Sequence, residues 1–238
     1  MKRYTTFSSR LKKRYGKRTW KIPLHAGMSC PHTDDEGGCI YCNNQAFSPA
    51  LSGEPLTIRK QLELGSRALR EKRNAEQFIA YFQTFTNTNA PLKKLKSLYD
   101  EAAAFSGVCC LAVGTRPDCV SAAVLDLLAS YQPDIDVWLE YGVQSVHDTT
   151  LRRINRGHTF AQVRQALALT QERNLPVCVH IIAGLPGESR EMMLETVTTL
   201  ADLAIDSIKI HPLQVVADTE LEHIYRQGGI TLMSADEY

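Results

Sequence analysis

Residues 20–42 read WKIPLHAGMSCPHTDDEGGCIYC, a short extended segment that runs directly into a cysteine-rich loop. WKIPLH, residues 20–25, reads as a first strand. The loop then carries Cys30, Cys39 and Cys42, separated by eight residues and then by two. Gly37 and Gly38 let the backbone turn tightly just before Cys39.

From this point strand-like and helix-like segments alternate to the end of the chain. A helix is expected over residues 57–73, where Ile58, Leu62 and Leu69 stand at helical spacing. Residues 78–85 (FIAYFQTF) are aromatic-rich and read as a second strand. Leu92, Leu95, Leu98, Tyr99, Ala102 and Phe105 mark the next helix. Further strands are expected at 108–113, 136–141, 177–183 and 207–213. Helices follow at 121–131, from the fourth strand to about 173 with a break near Gly157, and at 188–204. Thr219 and Glu222 form a capping box for a last helix that ends at Gly228-Gly229. Successive β-α units imply a parallel sheet with helices outside it. Six are too few to close an eight-stranded barrel, so the expected fold is α/β, a six-unit partial (β/α) TIM-like barrel. No linker divides residues 19–238, which read as one core domain behind a basic N-terminal arm, residues 1–18. Residues 234–238 (SADEY) start like a helix with none following, so the chain is expected to be truncated after Tyr238.

Composition narrows the class of molecule. The 238 residues are 44% hydrophobic and 22% charged, ordinary for a globular protein with a real core. No apolar run approaches a membrane span, and no apolar segment follows the basic start to form a secretory signal. Net charge is +1 but unevenly placed. Residues 1–33 hold nine Lys/Arg (Lys2, Arg3, Arg10, Lys12, Lys13, Arg14, Lys17, Arg18 and Lys21) and no acid, leaving 18 basic against 26 acidic residues elsewhere. A basic arm on an acidic body fits an anionic partner, RNA foremost; a solvated tail is the competing reading. A mitochondrial presequence shares the composition, but the cysteine loop follows too closely to leave a lead-in. Seven cysteines, an odd number, without a secretory signal indicate a reducing compartment, the cytoplasm.

Two cysteines spaced by two residues place both thiolates on one metal centre. Three thiolates leave a four-iron cluster with one iron open to another ligand. Zinc competes, with a fourth ligand from His25, His32, Cys109, Cys110 or Cys119. Spacing alone leaves both open. The position of the loop, at the C-terminal end of the first strand in a β-α series, is where such folds keep their chemistry.

The stretch SCPHTDDEGGCIYCN, with Tyr41 just before the third cysteine, resembles the cluster loop of radical S-adenosylmethionine (SAM) enzymes. The commonest spacing in that superfamily is three residues then two. The longer first gap here is similar to that of the elongator catalytic subunit and its uncharacterised bacterial relatives. EYGVQS at residues 140–145, NRGH at 155–158 and HIIAGLPGE at 180–188 resemble later motifs of the family, in order. The family's Gly-Gly-Glu on the second strand is absent; Gln83 stands in that region.

The resemblance implies a [4Fe–4S] cluster on Cys30, Cys39 and Cys42, and SAM bound by Tyr41, Gln83, Glu140, Gln144, Arg156, Ile182, Gly184, Leu213 and Val215. In that scheme Gln83 meets the SAM ammonium, Arg156 pairs with its carboxylate, Glu140 takes the ribose hydroxyls, and Leu213 and Val215 cover the adenine. It also implies a flavodoxin- or ferredoxin-type electron donor. With the basic arm, it points to tRNA as substrate and to wobble-uridine chemistry. Two alternatives stand beside it: a zinc-bearing RNA-binding protein with an inactive barrel, and a radical SAM enzyme acting on a small metabolite. Read by itself, Glu140 at a strand end also fits a structural salt bridge, and the turn 115–118 fits either a cofactor contact or a helix cap. Cys109, Cys110 and Cys178 are expected to be core thiols, and Arg152 and Arg153 to solvate a helix face.

Overall fold

A computed structural model of the chain describes residues 4–47 and 56–238, with backbone alone at 34–36, 45 and 47. Helix α1 (Phe7–Tyr15) precedes strand β1 (Thr19–Leu24). Helices α2 (Pro31–Glu36), α3 (Asn44–Phe47) and α4 (Ile58–Arg73) lead to β2 (Gln77–Phe82), and α5 (Leu92–Ala103) leads to β3 (Val108–Thr115). A 3₁₀ turn (Pro117–Cys119) and α6 (Ala122–Ala129) precede β4 (Asp136–Gln144), and α7 (Asp148–Arg153) and α8 (Phe160–Gln171) precede β5 (Val177–Ala183). Helix α9 (Arg190–Ala201), β6 (Ser207–Pro212) and α10 (Glu220–Arg226) complete the order. The six strands pair in parallel in sequence order, β1 to β6, and curl into a half-barrel with the helices outside.

Alternation along each strand explains the two faces. Ile22 and Leu24, Phe78, Ala80 and Phe82, Leu111 and Val113, and their counterparts on β4 and β5 point outward into one core with the helices. Thr57, Ser121, Thr159, Ser189 and Thr219 each accept from the backbone N–H three residues on, so local chemistry sets where five of these helices begin. Glu222 returns its side chain to the amide of Asp218 rather than to Thr219, so the expected capping box is half formed.

The concave face is where the structure departs from expectation. Residues 7–15 are not a loose arm: they form α1, which packs across the lower end of the half-barrel. Leu11 is buried there with Ile79, Tyr81, Cys110, Ala112 and Trp138. Arg14 pairs with both oxygens of Asp136 at 2.6 and 2.9 Å, and Tyr15 donates to the same carboxylate. Arg10 reaches Asp206 and Lys17 reaches Glu76. Burying a leucine contributes roughly 1.5–3 kcal/mol, whereas the exposed ion pairs contribute little, so the helix is held chiefly by Leu11. Lys2 and Arg3 lie outside the described residues.

Two other elements differ. Residues 31–36 read as loop, yet form α2, with Pro31 at the first position and Gly37 in the left-handed C-cap (φ 76°). The second strand ends at Phe82, not 85, because the chain leaves the sheet and Phe85 takes a positive φ of 59°.

Candidate active site

Every strand delivers its C-terminal end to one rim, and the three loop thiols stand there. Cys30, Cys39 and Cys42 line a cavity of about 220 Å³ together with Tyr41, Gln83, Thr86, Arg116, Glu140, Gly142, Gln144 and Arg156. A second cavity, about 280 Å³, shares Tyr41, Cys42, Gln144 and His180 with the first and continues along Ile182, His211 and Leu213. The structure thus brings together most of the residues singled out in the sequence. Gly184 and Val215 line neither cavity; Gly184 stands against Met193 and Met233, and Val215 packs near Ile40 and Leu221. A larger apolar space of about 450 Å³ between α9 and β6 holds none of the thiols.

The cysteine loop is fastened at several points. His32 Nε2 meets the Asn155 carbonyl at 2.6 Å, Asn155 Nδ2 donates to Gly38 O at 2.8 Å, and the Ile40 amide donates to Ile154 O. Ile40 packs with Leu151, Ile154, Leu185 and Leu221, which is how α7 and α10 hold the loop. Gly157 is required for this contact: a Cβ there would lie 2.5 Å from His32 Nδ1, at a φ of +78°.

Arg156 is 6% exposed, with Nη2 donating to Gly142 O at 2.6 Å and Nη1 lying 3.6 Å from Cys39 Sγ. Its Nε is buried without a partner among the described residues, a donor that a bound acceptor would satisfy. Gly142 makes room, because a Cβ would fall 2.8 Å from both Arg156 Nη2 and Gln144 Nε2. Arg116 locks the arrangement, gripping Asp118 with two nitrogens and the Arg156 carbonyl with a third. The turn 115–118 is therefore more than a helix cap.

Burial works against a thiolate at Cys30, but hydrogen bonds from Thr86 and Thr33 and the nearby Arg116 charge outweigh it and bring the thiol below its ordinary value. Cys42 is pushed up to about 11, first by burial and then by Cys39 and Cys30. Among the described residues no three His, Cys, Asp or Glu side chains converge closely enough to hold a single ion. Thiols set around a cavity suit a cluster with separate irons better than a closed zinc site.

Glu140 does not have the free carboxylate expected for ribose hydroxyls. It is 4% exposed; Oε1 accepts from Lys21 at 2.6 Å, and Oε2 meets Tyr81 Oη at 2.7 Å and His180 Nε2 at 2.8 Å. Glu140 thus joins a buried salt-bridge network while it also lines the thiol cavity. Cys110 and Cys178 are buried and Cys109 is half-buried, donating to Phe78 O, away from the cavity.

A model of the radical SAM superfamily matches residues 30–200. The chain belongs to the radical SAM superfamily. It is 39% identical over 236 residues to protein YhcC of Escherichia coli strain K12, covering 98% of this chain and 75% of that protein. It is 31% identical over 121 residues to a tRNA uridine(34) acetyltransferase of Methanocaldococcus infernus, covering 50% of this chain and 22% of that protein. Archaeal Methanocaldococcus infernus Elp3, a solved structure, superposes with a TM-score of 0.66 at 19% identity, over 92% of this chain and 51% of that one. At that identity the likeness is one of fold. The chain spans about half the length of that solved structure. Radical SAM enzymes use a [4Fe–4S] cluster and SAM, and both are cofactors of this chain. A radical SAM enzyme also needs a reducing partner. Among the described residues no helix is long and apolar enough to cross a membrane.

Sequence reasoning gave no site role to Thr33, Thr86 or Lys21, whereas His32 was named as a possible metal ligand, Arg116 lies in the turn 115–118 and His158 in the NRGH motif. Of the three, Lys21 carried a signal, since period-two alternation places it on the inner face of its strand.

Proposed function

We propose that Cys30, Cys39 and Cys42 hold the cluster, that Arg156, Gln144, Gln83 and Tyr41 with Ile182 and Leu213 receive SAM, and that the substrate is a tRNA modified at its wobble uridine. The observation that carries the cofactor assignment is Arg156, buried beside Cys39 with its Nε unsatisfied. With both cofactors bound, the reduced cluster would supply one electron to SAM, whose S–C5′ bond would break to leave methionine and a 5′-deoxyadenosyl radical. The chain's own work is placement. Arg156 offers Nε to a carboxylate as a charge-assisted bond, while Gly142 and Arg116 keep its guanidinium from turning away. Helix α1 closes the lower end of the half-barrel, so water is excluded from that side.

The tRNA reading is supported by the alignment with the tRNA uridine(34) acetyltransferase and by surface charge. Arg10, Arg14, Lys17 and Lys21 are spent on acids of the barrel. Lys12, Lys13 and Arg18 remain exposed without an acidic partner among the described residues, and α4 adds exposed Arg67, Arg70, Lys72 and Arg73. Trp20 lies between Arg18 (4.1 Å) and Arg73 (5.7 Å), a cation–aromatic stack suited to phosphates and bases.

The test is anaerobic reconstitution followed by dithionite and SAM. The wild type should release 5′-deoxyadenosine, Cys30→Ala should release none, and added tRNA should raise the yield. Wild type indistinguishable from Cys30→Ala would overturn the site assignment. Replacing Lys12, Lys13 and Arg18 by Ala should weaken tRNA binding and reduce its salt dependence; unchanged binding would remove tRNA as the substrate.

A further inference from the structure

Lys21, Tyr81, Glu140, His180, Lys209 and His211 share the inner face of the half-barrel. One carboxylate is among them, and it is fully engaged by Lys21, Tyr81 and His180. Lys209 is left over. It stands in register with His180 across the β5–β6 pair, is half-buried, and has no hydrogen bond or ion pair among the described residues. The Tyr81 ring lies 5.9 Å from its Nζ. His211, next on the same face of β6, stacks 5.7 Å from His180, and both open onto the cavity that continues from the thiols.

A half-buried ammonium with no hydrogen bond of its own is costly to a fold, and the Glu140 charge that favours it is shared with Lys21 and His180. Nothing in the packing requires it, because a methionine would fill the same stem. Arg156 and Arg116, the buried cations at the rim, stand with the thiols, Arg156 against Cys39 just past α7, whereas Lys209 is on β6, so the cations serve different parts of the half-barrel. We propose that Lys209, with His211 beside it, is a substrate subsite that binds an oxyanion, a phosphate or a carboxylate, inside the half-barrel. Resting on the tRNA reading, that oxyanion is the phosphate of the target nucleotide; with a small-molecule substrate it is a carboxylate.

The experiment is calorimetric titration of the cluster-loaded, SAM-bound protein with uridine 5′-monophosphate, uridine and succinate. Uridine 5′-monophosphate should bind the wild type, and uridine about tenfold more weakly, the scale of one lost charge-assisted bond. Lys209→Met should remove that advantage, Lys209→Arg should retain it, and SAM affinity should stay the same in both. Lys209→Met should also raise the thermal midpoint of the ligand-free protein, the opposite of what losing a structural residue does. Unchanged nucleotide affinity in Lys209→Met, a fall in SAM affinity, or a lowered thermal midpoint would each overturn the subsite. Succinate binding that depends on Lys209, with no nucleotide binding, would keep the subsite and discard the RNA reading. Nucleotide binding indifferent to Lys209 would do the reverse.

Discussion

Glu140→Gln keeps the size of the side chain and removes its charge at a position only 4% exposed. In the wild type one carboxylate serves three donors, Lys21, Tyr81 and His180. Glutamine has a single acceptor oxygen, so its NH₂ must face at least one donor, and a buried group is left unmatched. Hydrogen bonds to charged groups contribute about 1.5–3 kcal/mol each, and the Lys21 side chain keeps 27% exposure, so water recovers part of the loss. The expected destabilisation is about 3 kcal/mol, which for a chain of this length lowers the thermal midpoint by about 6–12 °C. The pH dependence is equally definite. Burial opposes the Glu140 charge, but His180 and Lys21 overcome it and hold the carboxyl well below its ordinary 4.5. With a depressed folded value, the stabilisation is fully present above 4.5 and is lost as pH falls below it. The gap between wild type and variant should therefore narrow on acidification below that point. Thermal unfolding of the ligand-free protein at neutral and mildly acidic pH, paired with SAM affinity of the reconstituted protein, tests this. An unchanged midpoint with weakened SAM binding would refute it and return Glu140 to the ribose.

Gly157→Ala puts a methyl 2.5 Å from His32 Nδ1 at a left-handed φ; the backbone cost alone is about 1–2 kcal/mol, and iron content after reconstitution should fall. Wild-type iron loading would show that His32 does not anchor the loop. Burial and the Arg156 charge push His158 down to about 3. The unfolded chain therefore takes up a proton near 6.5 that the folded chain refuses, so stability is full above 6.5 and declines below it, by about 2 kcal/mol at about pH 5. In His158→Gln that component of the slope should vanish from urea midpoints taken across this range; an identical slope would mean the imidazole charges freely. Leu11→Ala should cost about 2–5 kcal/mol, and a loss within a few tenths would mean α1 is not seated in the barrel.

Much of the architecture was legible because parallel strands buried on both faces and helices with Thr or Ser caps leave local marks. Thr57, Ser121, Thr159 and Ser189 locate helix starts from single residues, and the motif positions of Arg156 and Gln144 were readable beside the cysteine loop. What escaped notice had a weak local mark or none. Phe7, Leu11 and Tyr15 stand four apart on one face of α1, a short signal outweighed by the basic residues around it, four of which pair with acids of the barrel. The fate of Glu140 depends on Lys21, 119 residues away, and on His180, 40 away, pairings that only the curl of the sheet creates. Residues 78–85 kept a strand-like composition beyond the point where the chain turns off the sheet, because aromatic side chains suit a rim loop as well as a strand.

The seat of α1 also bears on how the chain is made. Arg10 is bonded to the backbone and side chain of Asp206, 196 residues later and just ahead of β6. The apolar surface that buries Leu11 is complete once Trp138 has been made, whereas the Asp206 partner of Arg10 follows the arginine by 196 residues. Contacts this distant are slow to close, so the Arg10–Asp206 pair acts as a latch set after Leu11 is seated. A chain stalled ahead of Asp206 would already carry α1 across β2, β3 and β4, with Arg10 still waiting for its partner.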